Sequence, residues 1–340
     1  MKRSTLWVVT GLVFCYIILG ASLVLAAERQ NKLDLQFFTP LGLTHDVNQI
    51  VLKNFIEPVA AETNGRIKFN LRPAGELPYK GTEALDILRD KLVDMSYIIG
   101  PYVGGVEPLF DVPNYAYLVK SQNEVPAMLK VIRPVMEKTM AEKWNSVILI
   151  ENVWPGQHVW SGTKIIKTVG EIKGMKIRSH GLVSTDLSVI LGASPVTMTV
   201  ADVYMAFSRG TVDGMWIAVT SAVPSKLHEV TKSILLMDAQ FAYDAFAIRK
   251  DIWNTLSKSE QDTLTKAGER TTLALREFMF GHGADKLWEV VKARGIMVTA
   301  LPDSEKGVLR DKVKPYWDKW AKQGGAESQS MLTELRKALP

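Results

Sequence analysis

The chain has 340 residues, 47% of them hydrophobic and 23% charged, with no low-complexity tract, which is material for a substantial core in one or two domains. The formal net charge is +5, with Lys and Arg scattered along the chain rather than gathered in a basic run. So weak and diffuse a balance argues against nucleic acid as a partner and favours small anions only slightly.

Met1-Lys2-Arg3 followed by the uncharged stretch from Ser4 to Ala27 reads as a secretory signal peptide over residues 1–27, which places the remainder outside the cytoplasm. About 20 apolar residues also suffice to span a bilayer. A membrane-anchored sensory receptor therefore stays open as an alternative. Cys15 is the only cysteine and lies inside this segment, so a mature chain would carry no disulfide, thiol nucleophile or thiolate metal site.

Leu33 to Phe38 partly alternates apolar and polar residues, which predicts a strand, and Asp46 to Thr63 has helical apolar spacing with Pro58 inside it. Arg66 to Leu71 alternates again, Thr82 to Leu92 is helical, and Met95 to Ile99 is a short apolar run, completing a β-α-β-α-β series. Ser121 to Glu124 has capping-box spacing and predicts a helix to about Lys143, followed by a strand over Val147 to Glu151. A second series then begins, with a strand near Lys176 and helices over Thr185 to Leu191 and Thr199 to Ser208. A second capping box at Ser257 to Glu260 opens a helical pattern that runs to about Arg294, interrupted only by Gly281 and Gly283. Such a helix would run across the backs of two lobes, with Tyr316, Trp317 and Trp320 packing the tail against one of them.

Enzyme and cofactor signatures are absent. There is no P-loop, no strand-linked G-x-G-x-x-G and no H-E-x-x-H, and Ala206-Phe207-Ser208-Arg209-Gly210 ends a helix instead of forming a nucleophile elbow. His45, His158, His180, His228 and His282 share no ligand spacing, so no metal site is expected. The informative stretch is Glu171 to Gly181 (EIKGMKIRSHG). Thr168 and Glu171 cap a turn ended by Gly174, after which Met175 and Ile177 face one side of a strand and Lys176 and Arg178 the other. Arg178 thus points off the core, towards solvent or a cleft, with a planar fork that matches a carboxylate. By alternation alone, an exposed surface role is the simpler reading.

This stretch resembles the D-L-K-G-L-K-I-R signature of the solute-binding proteins of tripartite ATP-independent periplasmic (TRAP) transporters. Thr63-Asn64-Gly65-Arg66-Ile67, Pro73-Ala74-Gly75-Glu76-Leu77, Leu191-Gly192-Ala193-Ser194-Pro195-Val196, Val203-Tyr204-Met205-Ala206 and Gly210-Thr211-Val212-Asp213-Gly214 are similar to further motifs of that family, in family order. The resemblance implies an α/β, two-lobed periplasmic-binding-protein-like fold with a hinge between the lobes and a long bracing helix. Lobe I would comprise residues 32–153 and about 238–280, lobe II about 154–237 and 281–340. It also implies a periplasmic monomer that captures a small organic acid and hands it to a membrane permease, with Arg178 pairing the carboxylate. Pro40 to His45 and Tyr97 to Tyr102 match segments that line the first lobe's side of the cleft, making His45, Tyr97 and Tyr102 candidate wall residues.

Two departures narrow the expectation. Ile217 stands where many members carry a contacting asparagine, and His158 where many carry an arginine. With Trp154, Trp160 and Trp216 in the same segments, the pocket should suit an aromatic or otherwise apolar monocarboxylate. The rival reading is an extracytoplasmic enzyme acting on a carboxylate, for which no nucleophile or base with recognisable spacing is present.

Overall fold

The computed structural model describes residues 32–339, so the proposed signal segment and Cys15 lie outside the described residues. Eleven strands run in chain order: β1 Leu33–Phe38, β2 Ile67–Arg72, β3 Met95–Ile99, β4 Ser146–Val153, β5 His158–Ser161, β6 Lys176–Ser179, β7 Ser194–Thr197, β8 Gly214–Ile217, β9 Ser233–Leu236, β10 Tyr243–Arg249 and β11 Met297–Ala300. They form a five-stranded sheet of order β2-β1-β3-β10-β4 and a six-stranded sheet of order β11-β9-β5-β8-β6-β7. This is the two-lobed α/β architecture. In the first sheet β1 runs parallel to β2 and β3, and β10 runs antiparallel to both its neighbours. All five residues of β3 are buried, as befits a central strand covered on both faces.

The chain crosses between the sheets after β4 and again before β10, and these two crossings pair with each other. Trp154 N donates to Ala242 O at 2.8 Å, Gln157 N to Gln240 O at 2.9 Å, and Ala239 N to Gln157 O at 3.0 Å. A two-stranded connection of this kind holds the lobes in register without a Gly/Ser-rich linker.

The third crossing is helical. Ser257 and Glu260 close the expected capping box, with Ser257 N donating to Glu260 Oε2 at 2.8 Å and Glu260 N to Ser257 Oγ at 3.4 Å, an arrangement worth ~1 kcal/mol. The helix Lys258–Phe280 then packs on β4 through a stripe that includes Leu264, Gly268, Thr271 and Leu275. At Gly268 the helix sits so near the Leu149 carbonyl that any Cβ would overlap it. The expected single helix breaks at Gly281, and a second helix, His282–Ala293, follows. Gly283 lies against the main chain of Phe278, where a side chain has no room, so the glycines mark the bend itself.

Other local expectations shift for identifiable reasons. The helix after β1 is interrupted by a π-turn, Leu52–Ile56, between Asp46–Val51 and Glu57–Glu62. Pro58 lacks an amide hydrogen, and the wider turn just before it absorbs that missing donor. At Ser121 the box is displaced: Glu124 accepts from Lys120 N at 2.7 Å, Ser121 makes no capping bond, and the 3-10 turn Gln122–Glu124 leads into the helix Val125–Glu142.

The tail does not rest on one lobe only. From the helix Asp303–Gln323, Trp317 Nε1 donates to Ala116 O at 2.9 Å, and Trp320 Nε1 to Asp186 Oδ2 of the helix Leu182–Ile190 at 2.7 Å. The last helix, Ala326–Ala338, packs on Val125–Glu142 beside the first sheet, although it was grouped by sequence with the second lobe. No helix among the described residues is long and apolar enough to cross a membrane.

Candidate functional site

Strand β6 carries the central residue. Ile177 pairs with Gly214 and Pro195 of the flanking strands, and its side chain is wholly buried. Arg178 is therefore turned to the opposite face, where it meets the first lobe instead of solvent. It is only 3% exposed. Its Nε donates to Met198 O at 3.0 Å, Nη1 to Trp216 O at 2.9 Å and Nη2 to the Tyr102 hydroxyl at 3.2 Å. These acceptors are neutral, and Arg178 forms no ion pair among the described residues. Burial pushes its pKa below the usual guanidinium value, though Tyr102 opposes this.

Arg178 borders a cavity of about 40 Å³ between the lobes. The first lobe contributes Leu41, Ile99, Pro101, Tyr102 and Ala242, the crossing segment Trp154 and Gln157, and the second lobe His180, Val200, Ile217 and Ser221. The wall is largely apolar, and Arg178 is the only Lys or Arg among the described residues that line it. The lobes touch around it: Tyr102 OH also accepts from Val200 N at 2.9 Å, Lys80 approaches Asp202 at 3.4 Å, and Gly181 lies directly against the Pro101 carbonyl.

Trp154 is held from behind. Its Nε1 donates to Asp244, which also accepts from Tyr97 OH at 2.7 Å and Gly100 N at 3.0 Å. Burial raises the Asp244 pKa to about 7, against the pull of these donors. His45 stands edge-on to the Trp154 ring, with centroids 6.1 Å apart. Its Nδ1 accepts from Val47 N at 3.2 Å as a helix cap, and burial lowers its pKa to about 3.

Of the residues singled out from sequence, the fold brings Arg178, Tyr102, Trp154 and Ile217 to the cavity. Tyr97 and His45 form the layer behind Trp154. Trp160 and Trp216 do not reach the cavity: both are wholly buried, Trp216 Nε1 donating to Ser188 Oγ at 2.9 Å and Trp160 stacking near Trp288 with centroids 6.2 Å apart. They belong to the core, because strand pairing of Trp160 with Met215 and of Trp216 with Val159 places each ring in a helix-covered face. His158 also turns away. Its Nδ1 accepts from Met237 N at 3.2 Å and Asp238 N at 3.3 Å, beside Trp288, and burial lowers its pKa to about 4. Among the cavity residues not foreseen, His180 had a readable signal, since it lies two residues after Arg178, just past the end of β6. Leu41 falls inside the Pro40 to His45 stretch expected to line the first lobe's side, whereas Gln157, Val200 and Ser221 lie on segments that only the tertiary fold assembles. Among the described residues no cluster of His, Asp and Glu is placed to hold a metal ion.

This architecture is shared by a known group. The family model described as bacterial extracellular solute-binding protein, family 7 (DctP) matches residues 43–323. The chain belongs to this family. A solute-binding protein of Albidiferax ferrireducens is 26% identical over 259 residues, 73% of this chain and 73% of its own length. The C4-dicarboxylate-binding periplasmic protein DctP of Rhodobacter capsulatus is 24% identical over 285 residues, 81% of this chain and 82% of its own. Among solved structures, the Bordetella pertussis extracytoplasmic solute receptor DctP7, described as binding pyroglutamic acid, has a TM-score of 0.82 at 20% identity and covers 89% of this chain and 99% of its own. A TRAP periplasmic solute-binding protein of Chromohalobacter salexigens with bound D-glucuronate matches at TM-score 0.82 and 18% identity, covering 90% and 100%. The family fold is thus that of the TRAP solute receptors.

Proposed function

We propose that this family member is exported by its N-terminal segment, captures a small organic acid between its lobes and delivers it to a TRAP-type membrane permease. The carrying observation is Arg178, a buried guanidinium at a cavity wall with no acidic partner. A buried charge left with neutral acceptors alone is costly, and a carboxylate supplies the counter-charge. After the three bonds above, each terminal nitrogen of Arg178 still has an N–H for the two carboxylate oxygens. Relatives described as binding pyroglutamic acid and D-glucuronate support an acid as the ligand class. Leu41, Ile99, Val200, Ile217 and Trp154, with no second cation in the wall, favour a monocarboxylate with an apolar or aromatic body.

Lobe I in this reading is residues 32–153 with about 238–280, lobe II about 154–237 with 281–340, the last helix of which reaches back onto lobe I, and the paired crossings act as the hinge. Ligand contacts made to both lobes at once shift the population to the closed form that the permease recognises. The test is mass spectrometry of small molecules released from freshly purified protein, repeated with Arg178→Ala. An organic acid present in the wild type and missing from the variant supports the reading. Retention of the same acid at undiminished affinity overturns it.

A further inference from the structure

The first lobe's side of the cavity is fastened by a group that does not border it. Asp244 lies on β10, two residues beyond Ala242, and is wholly buried. Strand pairing sets it opposite Ile99 at the end of β3 and Asn152 on β4. Its Oδ1 accepts from Gly100 N at 3.0 Å, and its Oδ2 from Tyr97 OH at 2.7 Å and from Trp154 Nε1. Gly100 opens the short helix Gly100–Val103, which carries Pro101 and Tyr102. Trp154, Ile99, Pro101 and Tyr102 all line the cavity. Any Cβ at Gly100 would overlap the Tyr243 carbonyl, so this helix start is pressed directly onto β10. One carboxylate therefore ties the aromatic wall, the end of β3 and the turn that reaches Arg178 to a single strand.

We infer that Asp244 is a positioning residue for ligand binding, fixing the Trp154 ring and the turn that carries Tyr102 without touching the ligand. This rests on the carboxylate reading of the cavity. Among the described residues no cation partners Asp244, and a buried carboxylate without one is costly for stability alone. Its three partners are all donors, so the position calls for a group that only accepts. An asparagine there offers one accepting oxygen and turns an amide N–H towards another donor. The carboxylate sets the orientation of the wall, and Tyr102 passes that placement on to Arg178 and Val200 across the lobes.

The experiment follows the co-purified acid of freshly prepared protein through dialysis, with mass spectrometry of what is retained. Asp244→Asn should release that acid about tenfold faster than wild type. Tyr97→Phe keeps the ring stacked on Phe246 and removes only one donor, which makes it the second variant should Asp244→Asn fail to fold. Although Tyr97 does not border the cavity, its loss of a hydroxyl should speed release about threefold. Glu151→Gln alters a buried carboxylate of the same sheet that is bonded to Arg133 and Tyr243 instead, and should release the acid at the wild-type rate whatever its Tm. A proton–nitrogen correlation spectrum supplies the local readout. The Trp154 indole resonance, assigned by its loss in Trp154→Phe, should move in Asp244→Asn and stay in place in Glu151→Gln. Unchanged release from Asp244→Asn and Tyr97→Phe, or release that tracks Tm across all the variants, overturns the role of Asp244 and leaves that of Arg178 standing. Wild-type protein that carries no acid overturns the carboxylate reading and the role of Asp244 with it.

Discussion

The Tyr102 hydroxyl accepts one hydrogen bond from Arg178 Nη2 at 3.2 Å and a second from Val200 N at 2.9 Å, joining the turn after β3 to a strand and a helix start of the opposite lobe. One oxygen thus links the lobes at the point where Arg178 borders the cavity. Tyr102→Phe should keep the fold, since the ring stays, but should weaken ligand binding by about tenfold. Titration calorimetry reads this directly, and an unchanged Kd would show that closure does not draw on the link.

Arg178→Met should abolish ligand binding, with affinity falling by at least about 100-fold, in keeping with losing one side of a desolvated charge pair. The empty protein should nevertheless keep its Tm within a few degrees, because the variant also removes an uncompensated buried charge. A thermal-shift series with and without ligand separates these effects. A large loss of Tm in the absence of ligand would mean that Arg178 chiefly supports the fold.

Gly181→Ala tests the contact between lobes. Any Cβ at this position overlaps the Pro101 carbonyl of the other lobe. The variant should fold with near-normal stability yet remain open, so small-angle scattering would show no compaction when ligand is added. Compaction equal to that of wild type would place the closing contact elsewhere.

Two pairs of buried groups make opposite contributions to the pH dependence of stability. His158, lowered to about 4, and His45, lowered to about 3, stay neutral in the fold, whereas unfolded histidine takes a proton near 6.5. Their contribution is full above that value and is lost as pH falls below it. Asp244 and Asp111, raised to about 7 from 3.8, contribute fully below the unfolded value and lose that contribution as pH rises to 7. In the overlapping window the pairs oppose each other. Asp244→Asn should make stability fall more steeply on acidification, by ~1.4 kcal/mol per pH unit, and His158→Asn should change the slope by a similar amount in the other direction. Urea unfolding at several pH values checks both signs.

Strands that depend on neighbouring residues were legible in the sequence, as was the cap at Ser257, though not the one at Ser121. Ser257 and Glu260 form their box, and the alternation around Ile177 does turn Arg178 off the core. Alternation could not say what lies on the other side, which is why Arg178 read as exposed and proves buried by Tyr102 from a distant turn. The tryptophans were misplaced for the same reason. Trp160 and Trp216 sit on strands whose two faces are both covered, so period two carries no information about which face meets the cleft. His158 was placed by its position in the chain, but the two amides it accepts, from Met237 and Asp238, arrive from the other crossing segment. His180 had its signal in the spacing of two from Arg178.

Met198 and Trp216, both of the lobe that carries Arg178, accept from its Nε and Nη1. An arginine side chain has ~2 kcal/mol of rotamer entropy to lose when it is fixed. Here that loss is incurred as the chain folds. An arriving acid meets an already oriented fork, so the attraction between opposite charges goes into affinity instead of into ordering the receptor.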